Sequence, residues 1–204
     1  MYLYGGMLVL KVRKSRIMQI IFFVALVCLI ATFPVSAKIY GSTIDGITWS
    51  LDLNNGEMVV SGEGNMPDYL NYTDTPWYKP DDAPWGSYIT LAKTLIVDEG
   101  ITSIGKNAFI YARELESVTL AETVATIGEN AFAYCHSLSE VKLPSTLFSI
   151  GANAFASCKS LEHISLPATV TGIGAYAFSG CTSLEDVTLS QELVTIGAQA
   201  FRGC

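Results

Sequence analysis

Four cysteines recur at a fixed step of 23 residues, Cys135, Cys158, Cys181 and Cys204, and they are the first groups in this chain with chemistry to offer. A ladder of thiols can oxidise in pairs, ligate a soft metal, or fill a small apolar space. Alanine holds the same position one step earlier, at Ala112, which favours the space-filling role. Disulfides between neighbouring turns of the chain are the alternative in an oxidising compartment. Side chains running parallel are, however, badly aimed for the dihedral angle that an S–S bond requires. A zinc site would need a close Cys-x-x-Cys pair, and the spacing supplies none. Free, buried thiols are the expectation.

The remaining polar candidates are sparse. His136 and His163 fall at different positions of the repeat, so the periodicity does not pair them. No Ser/His/Asp arrangement or His-x-x-x-His helix can be assembled around either. Both are expected to be exposed and solvated. Glu162, Glu185 and Asp186 read as surface carboxylates, because a paired acid and base would need a cleft that the pattern does not provide. No catalytic residue, cofactor or metal is expected, and the chain is not expected to be an enzyme.

The elements behind these residues follow from one repeat. Ile104-Gly105-Lys106-Asn107-Ala108-Phe109 returns as Ile127-Gly128-Glu129-Asn130-Ala131-Phe132, and again from Ile150, Ile173 and Ile196. Leu115, Leu138, Leu161 and Leu184 keep the same step, as do Val118, Val141, Ile164 and Val187, and Leu120, Leu143, Leu166 and Leu189. The resulting Leu-x-x-Val-x-Leu pattern is the strand signature of leucine-rich repeats. Alternation around Val118 and Leu120 turns Ser117 and Thr119 to the opposite side of that strand. One short strand per coil is expected, in a first coil with Ala92, Leu95 and Val97 at the equivalent places. Gly105, Gly128, Gly151, Gly174 and Gly197 are expected to supply a turn that a Cβ would hinder. The Ala-Phe pair should then lie in a short helical or 3₁₀ segment that feeds Phe109, Phe132, Phe155, Phe178 and Phe201 into one stack.

Fold class follows: an α/β repeat solenoid of 23-residue leucine-rich repeats, with short parallel strands and short helical or 3₁₀ segments. Coils stacked about 4.8 Å apart join their strands into a parallel sheet, and stability resides in the contacts between coils. The repeat array spans 94–204. Residues 38–93 are expected to cap its first coil with a β-hairpin, since Ile47, Trp49, Leu51 and Leu53 alternate with polar residues, Asn54-Asn55-Gly56 supplies a turn, and Met58 and Val60 return. Within them, 64–90 mixes Pro67, Pro76, Pro80 and Pro84 with Tyr69, Tyr72, Trp77, Tyr78, Trp85 and Tyr88. This stretch reads as an irregular connector whose rings seal the first coil; binding of sugar faces is the sharper alternative. Asn71-Tyr72-Thr73 fits an N-glycosylation acceptor. At the other end the chain stops at Cys204 before another strand of the pattern, so a fragment of a longer protein is expected.

Residues 1–37 read as targeting. Lys11, Arg13, Lys14 and Arg16 precede the apolar run Ile17 to Ile30, and Val35-Ser36-Ala37 offers a cleavage site after Ala37. An uncleaved membrane anchor is the competing reading. Cys28 follows Val27 rather than a small residue, which argues against acylation. Cleavage would remove four bases and no acid, taking the formal charge from −7 to −11. Such acidity, with the lysines and arginines scattered along the sequence, argues against a nucleic-acid partner.

The unit running from Cys135 through Phe155 resembles the BspA-like (Treponema pallidum type) leucine-rich repeat family, whose repeat reads approximately Cys-x-x-Leu-x-x-Val-x-Leu-Pro-x-x-Val-x-x-Ile-Gly-x-x-Ala-Phe. Ile47-Thr48-Trp49-Ser50-Leu51, the run Val60 to Tyr69, and Pro76-Trp77-Tyr78 resemble that family's N-terminal module. The resemblance implies a secreted or cell-surface protein that adheres to host matrix proteins or other cells, with no shared catalytic residues. Its partner would be an extracellular protein or glycan, and the mature chain would carry no membrane span. The candidate binding strip is the outward side of the strands: Ser117, Thr119, Glu140, Lys142, His163, Ser165, Asp186 and Thr188. Two other classes stay open. The array could target or scaffold a larger secreted enzyme, or it could be a structural component of a surface layer.

Overall fold

The computed structural model describes residues 2–4, 7–9, 37–43, 45–69 and 83–204. The expected targeting segment lies outside the described residues, apart from two three-residue strands, Tyr2–Tyr4 and Met7–Val9, paired antiparallel. Cys28, the glycosylation acceptor at 71–73 and Trp77 also lie outside them.

From Thr94 onward the chain winds as a β-solenoid, four 23-residue steps leading from Thr94 to Asp186. Each coil presents two strand positions, not the single one expected. The first column holds Thr94–Val97, Ser117–Leu120, Glu140–Lys142, His163–Ser165 and Asp186–Thr188. The second holds Ile101–Ile104, Thr126–Ile127, Ser149–Ile150, Gly172–Ile173 and Thr195–Ile196, all paired in parallel. This second ladder hides from pattern reading because its strands are mostly two residues long, too short for alternation to show.

The first column is not one sheet. Ser117–Leu120 pairs with strands on both sides, while His163–Ser165 and Asp186–Thr188 form a separate pair. Prolines flank the break. Ala121 donates its N–H to Val97 O at 3.0 Å, whereas Pro144 and Pro167 at the equivalent places have no N–H to give.

The third side of each coil departs furthest from expectation, for the Ala-Phe segments are turns and not helix. The one helical element among the described residues is a three-residue 3₁₀ turn, Ile89–Leu91. Residues 105–108 and 109–112 close successive turns through Ala108 N–H to Gly105 O and Ala112 N–H to Phe109 O, each at 3.3 Å. The third residue of each turn, Asn107 (φ 58°) and Tyr111 (φ 63°), is left-handed, which resets the chain before a helical turn can propagate. Asn130 and Tyr134, and Asn153 and Ser157, repeat the arrangement with φ between 54° and 63°. The freed N–H groups bond across coils instead: Phe109 to Ala131 O at 2.8 Å, Phe132 to Ala154 O at 2.8 Å and Phe155 to Ala177 O at 2.7 Å. All three sides of the solenoid are therefore joined by backbone hydrogen bonds, as a buried backbone requires.

The repeated glycines act differently from expectation. None of them has a left-handed φ; each is a point where two backbones touch. A Cβ on Gly151 would come within 2.7 Å of Glu129 N, and one on Gly128 within 2.8 Å of Ile104 O. Gly151→Ala is expected to lower stability by about 1–3 kcal/mol, because backbone cannot yield as a side-chain tip can. The midpoint of chemical denaturation measures it, and an unchanged midpoint would mean that the coils are less closely apposed.

Phenylalanines fill the interior as a column. Neighbouring rings from Phe109 to Phe201 stack with centroids 5.3–5.4 Å apart and planes within 11° of parallel. Trp85 continues the column beyond Phe109 at 5.2 Å, and its Nε1–H donates to Ala108 O at 2.7 Å. This ring is fully buried, so the described part of the aromatic connector supplies the first step of the core. On the strand side, Glu57–Ser61 lies parallel to Thr94–Val97 and pairs antiparallel with Thr48–Asp52, which in turn pairs with Lys38–Ser42. Gly64–Asn65 adds to the second column beside Ile101–Ile104.

Candidate functional site

The outward side of the first strand column is set by the alternation of the repeat. Val118, Leu120, Ile164 and Leu166 are buried, and Val141 and Val187 pack half-buried against the same core. Their neighbours must therefore point away. Thr119, Glu140, Lys142, His163, Ser165, Asp186 and Thr188 are exposed. Ser117 is half-buried, its hydroxyl 3.5 Å from Thr94 Oγ1.

Register arranges these eight residues in two blocks of four. Ser117 stands beside Glu140 and Thr119 beside Lys142 on the larger sheet. His163 stands beside Asp186 and Ser165 beside Thr188 on the separate pair. Within the second block the imidazole of His163 has Nδ1 3.5 Å from Asp186 Oδ2 and Nε2 4.0 Å from Glu162 Oε2. Both contacts are solvent-exposed, so they contribute little to stability. The strip offers mixed charge and hydroxyl groups on the outward side of the strands.

The cysteine ladder lies inside. Cys135, Cys158 and Cys181 are buried free thiols, while Cys204 in the final coil is exposed, against the expectation that all four are buried. Each thiol donates to the phenylalanine carbonyl of the preceding coil, Cys135 to Phe109 O at 3.3 Å, Cys158 to Phe132 O at 3.3 Å and Cys181 to Phe155 O at 3.1 Å. Burial pushes the Cys135 thiol well above its ordinary range, with Ala112 opposing weakly through the backbone, and burial does the same to Cys158. Cys135 and Cys158 are held neutral and away from solvent, which suits packing and not nucleophilic chemistry, whereas a hydrogen bond with Cys158 draws the Cys181 thiol below its ordinary range.

Two further ladders run along the solenoid surface. Glu122 accepts the N–H and the hydroxyl of Ser145 at 2.8 and 2.7 Å, and those bonds hold its carboxyl below the usual range. On the turn side, Tyr111 and Tyr134 stack at 4.9 Å, with the Arg113 guanidinium 5.9 Å from the Tyr111 ring. His136 meets Tyr134 edge-on at 6.4 Å and is half-buried by that contact, so it is not the freely solvated histidine expected. The signal for this group was available, since Tyr111 and Tyr134 are one step of 23 apart, as are Arg113, His136 and Lys159.

Among the described residues no helix is long and apolar enough to cross a membrane. No curated protein matches the chain. Several solved structures do. A leucine-rich repeat protein of T. pallidum is similar at 25% identity and a TM-score of 0.55, over 79% of this chain and 67% of its own. One from Bacteroides ovatus is similar at 28% identity and a TM-score of 0.56, over 79% of this chain and 44% of its own. A leucine-rich cell surface protein of Faecalibacterium prausnitzii, 24% identical over 80% of this chain and 46% of its own with a TM-score of 0.56, shares the fold. This chain thus spans less than half the length of the last two. The model of the BspA type leucine rich repeat region matches residues 90–204 in six copies, the same stretch in which the phenylalanine column, the close glycines and the two strand ladders repeat every 23 residues. On that match the chain belongs to the BspA type leucine-rich repeat family.

Proposed function

We propose that this chain is the binding portion of an exported or cell-surface protein, and that it engages an extracellular protein or glycan through the outward face of its first strand column. The observation that carries the reading is a contrast. Core positions repeat with little change over every coil, whereas the outward positions run Ser117, Glu140, His163, Asp186 in one column and Thr119, Lys142, Ser165, Thr188 in the other. A surface kept only for solubility needs no fixed frame beneath it, while repeat solenoids use such a frame to present a variable face to a partner. Export rests on the basic stretch, the apolar run and the small-residue site within residues 1–37. Family membership favours an interaction module over a catalyst, and no cofactor enters the reading.

The N-terminal strands serve as the cap in this account. Glu57–Ser61 takes the place that a preceding repeat strand would take against Thr94–Val97, so the apolar edge of the first coil meets protein instead of water. Capping of this kind is what repeat arrays require for solubility.

Replacing Glu140, Lys142, His163 and Asp186 together by alanine tests the proposal. All four are exposed, so circular dichroism and the melting midpoint are expected to hold, with changes within about 0.5 kcal/mol per site. Binding to immobilised extracellular-matrix proteins or to whole cells is expected to weaken by about tenfold or more, the loss of roughly 1.4 kcal/mol. Undiminished binding by a folded variant would remove the strand face as the site.

A further inference from the structure

The turn side of the solenoid gathers what the sequence scatters. Arg113, His136 and Lys159 occupy one repeat position in three successive coils, directly after Ala112, Cys135 and Cys158. Arg113 and Lys159 place two cations in this column, with His136 between them, on a chain whose net charge is −7. Their fields reach one another: His136 is held below the ordinary histidine range by burial first, then by Lys159 and by Arg113. Beside this column runs the tyrosine pair. Tyr111 and Tyr134 stack at 4.9 Å with planes 11° from parallel, close to the spacing between coils, so each ring lies across the solenoid axis.

That orientation turns one face of Tyr134 away from Tyr111. Tyr111 covers the side of Tyr134 toward the N-terminus. On the other side the next coils carry Ser157, Gly180 and Gly203 at the same turn position, all with left-handed φ of 60–75°. No ring stacks on Tyr134 from the following coils, which carry Ser157 and Gly180 there, and His136 meets it edge-on at 6.4 Å. Tyr134 is 41% exposed. Glycine suits this backbone at no steric cost, yet the first two coils hold tyrosine there at φ 63°, a conformation that L side chains adopt at an energetic cost. Aromatic side chains kept where glycine would be easier point to a use for the rings.

We propose that this edge binds an anionic polysaccharide, one sugar ring lying flat on the face of Tyr134 turned away from Tyr111 and its carboxylate or sulfate groups held by Lys159 and Arg113, with the neutral imidazole of His136 between them. The C–H face of a sugar ring complements the negative face of an aromatic ring. Cations two coils apart along a line, on the order of 10 Å by the spacing of coils, complement a linear polymer with a charge on each disaccharide. Nucleic acid fits less well, because two cations on an acidic chain neutralise few phosphates. This site lies on a different side of the coils from the strand face and does not rest on that reading.

Calorimetric titration of the purified chain tests it with four probes of similar length: a heparin-derived octasaccharide, a galacturonate octasaccharide, neutral maltooctaose and oligothymidylate. Binding of the sulfated probe, the uronate probe or both is expected, weakening as salt is raised, with maltooctaose and oligothymidylate at least about tenfold weaker. Tyr134→Ala and the double variant Arg113→Ala/Lys159→Ala should each weaken it by about tenfold, while Tyr134→Phe, which keeps the ring, should bind as the parent does. The strand-face variant with Glu140, Lys142, His163 and Asp186 replaced should also bind the anionic sugar unchanged, which separates the two sites. Equal binding of maltooctaose, tighter binding of oligothymidylate, no binding of either anionic sugar, or full affinity in the folded variants would overturn the proposal.

Discussion

Phe155→Ala is expected to destabilise the solenoid by about 3–5 kcal/mol, read from the denaturation midpoint at constant slope. Phe155 is fully buried between Phe132 and Phe178, with ring centroids 5.3 and 5.4 Å away. Alanine there removes both stacking contacts and leaves a ring-sized void that the coils above and below cannot close. Their separation is fixed by cross-coil hydrogen bonds from Phe132 to Ala154 O and from Phe155 to Ala177 O. Phe201 provides the comparison, since its ring is only half-buried and stacks on Phe178. Phe201→Ala should cost clearly less. Equal losses at the two positions would show that the column is not the continuous core described here.

Trp85→Ala should cause a loss of similar size, about 3–5 kcal/mol. The indole is fully buried, stacks on Phe109 at 5.2 Å with planes 10° apart, meets Tyr69 edge-on at 5.5 Å, and bonds Ala108 O at 2.7 Å. Trp85→Phe keeps a ring for the stack and gives up the hydrogen bond, so it should cost only about 1 kcal/mol above the small change in volume. If Trp85→Ala left stability intact, residues 83–92 would be an appendage and not the first step of the core. Because contacts between coils carry the stability of such an array, damage at this end should also expose the first coil to exchange before the middle coils.

Pattern reading reached the repeat without error in step, since the main apolar positions of the array recur at 23 residues and no insertion breaks the count. It also reached the sidedness of the strand column, because a period of two admits only one assignment once Val118 and Leu120 are placed inside. It failed where the backbone does something that residue type does not announce. Asn107 and Tyr111 carry the left-handed φ values, while the conspicuous Gly105 and Gly151 have ordinary φ and serve close backbone approach. From sequence, the two uses of glycine look alike. The expected helix disappeared for the same reason, as two left-handed residues four apart cannot belong to one α-helix.

The sequence alone determined the period, the phenylalanine stack and the side of the strands on which the eight candidate residues lie, because each of these follows from spacing; Cys204 and Leu189, read as core positions, are exposed. Only the tertiary structure decided which surface groups became neighbours. Stacking brings residues 23 apart in the chain to within one coil of each other, so Arg113, His136 and Lys159 become a column and Tyr134 stacks on Tyr111. It likewise divided the strand face into two blocks, with Pro167, which has no N–H to donate, at the break.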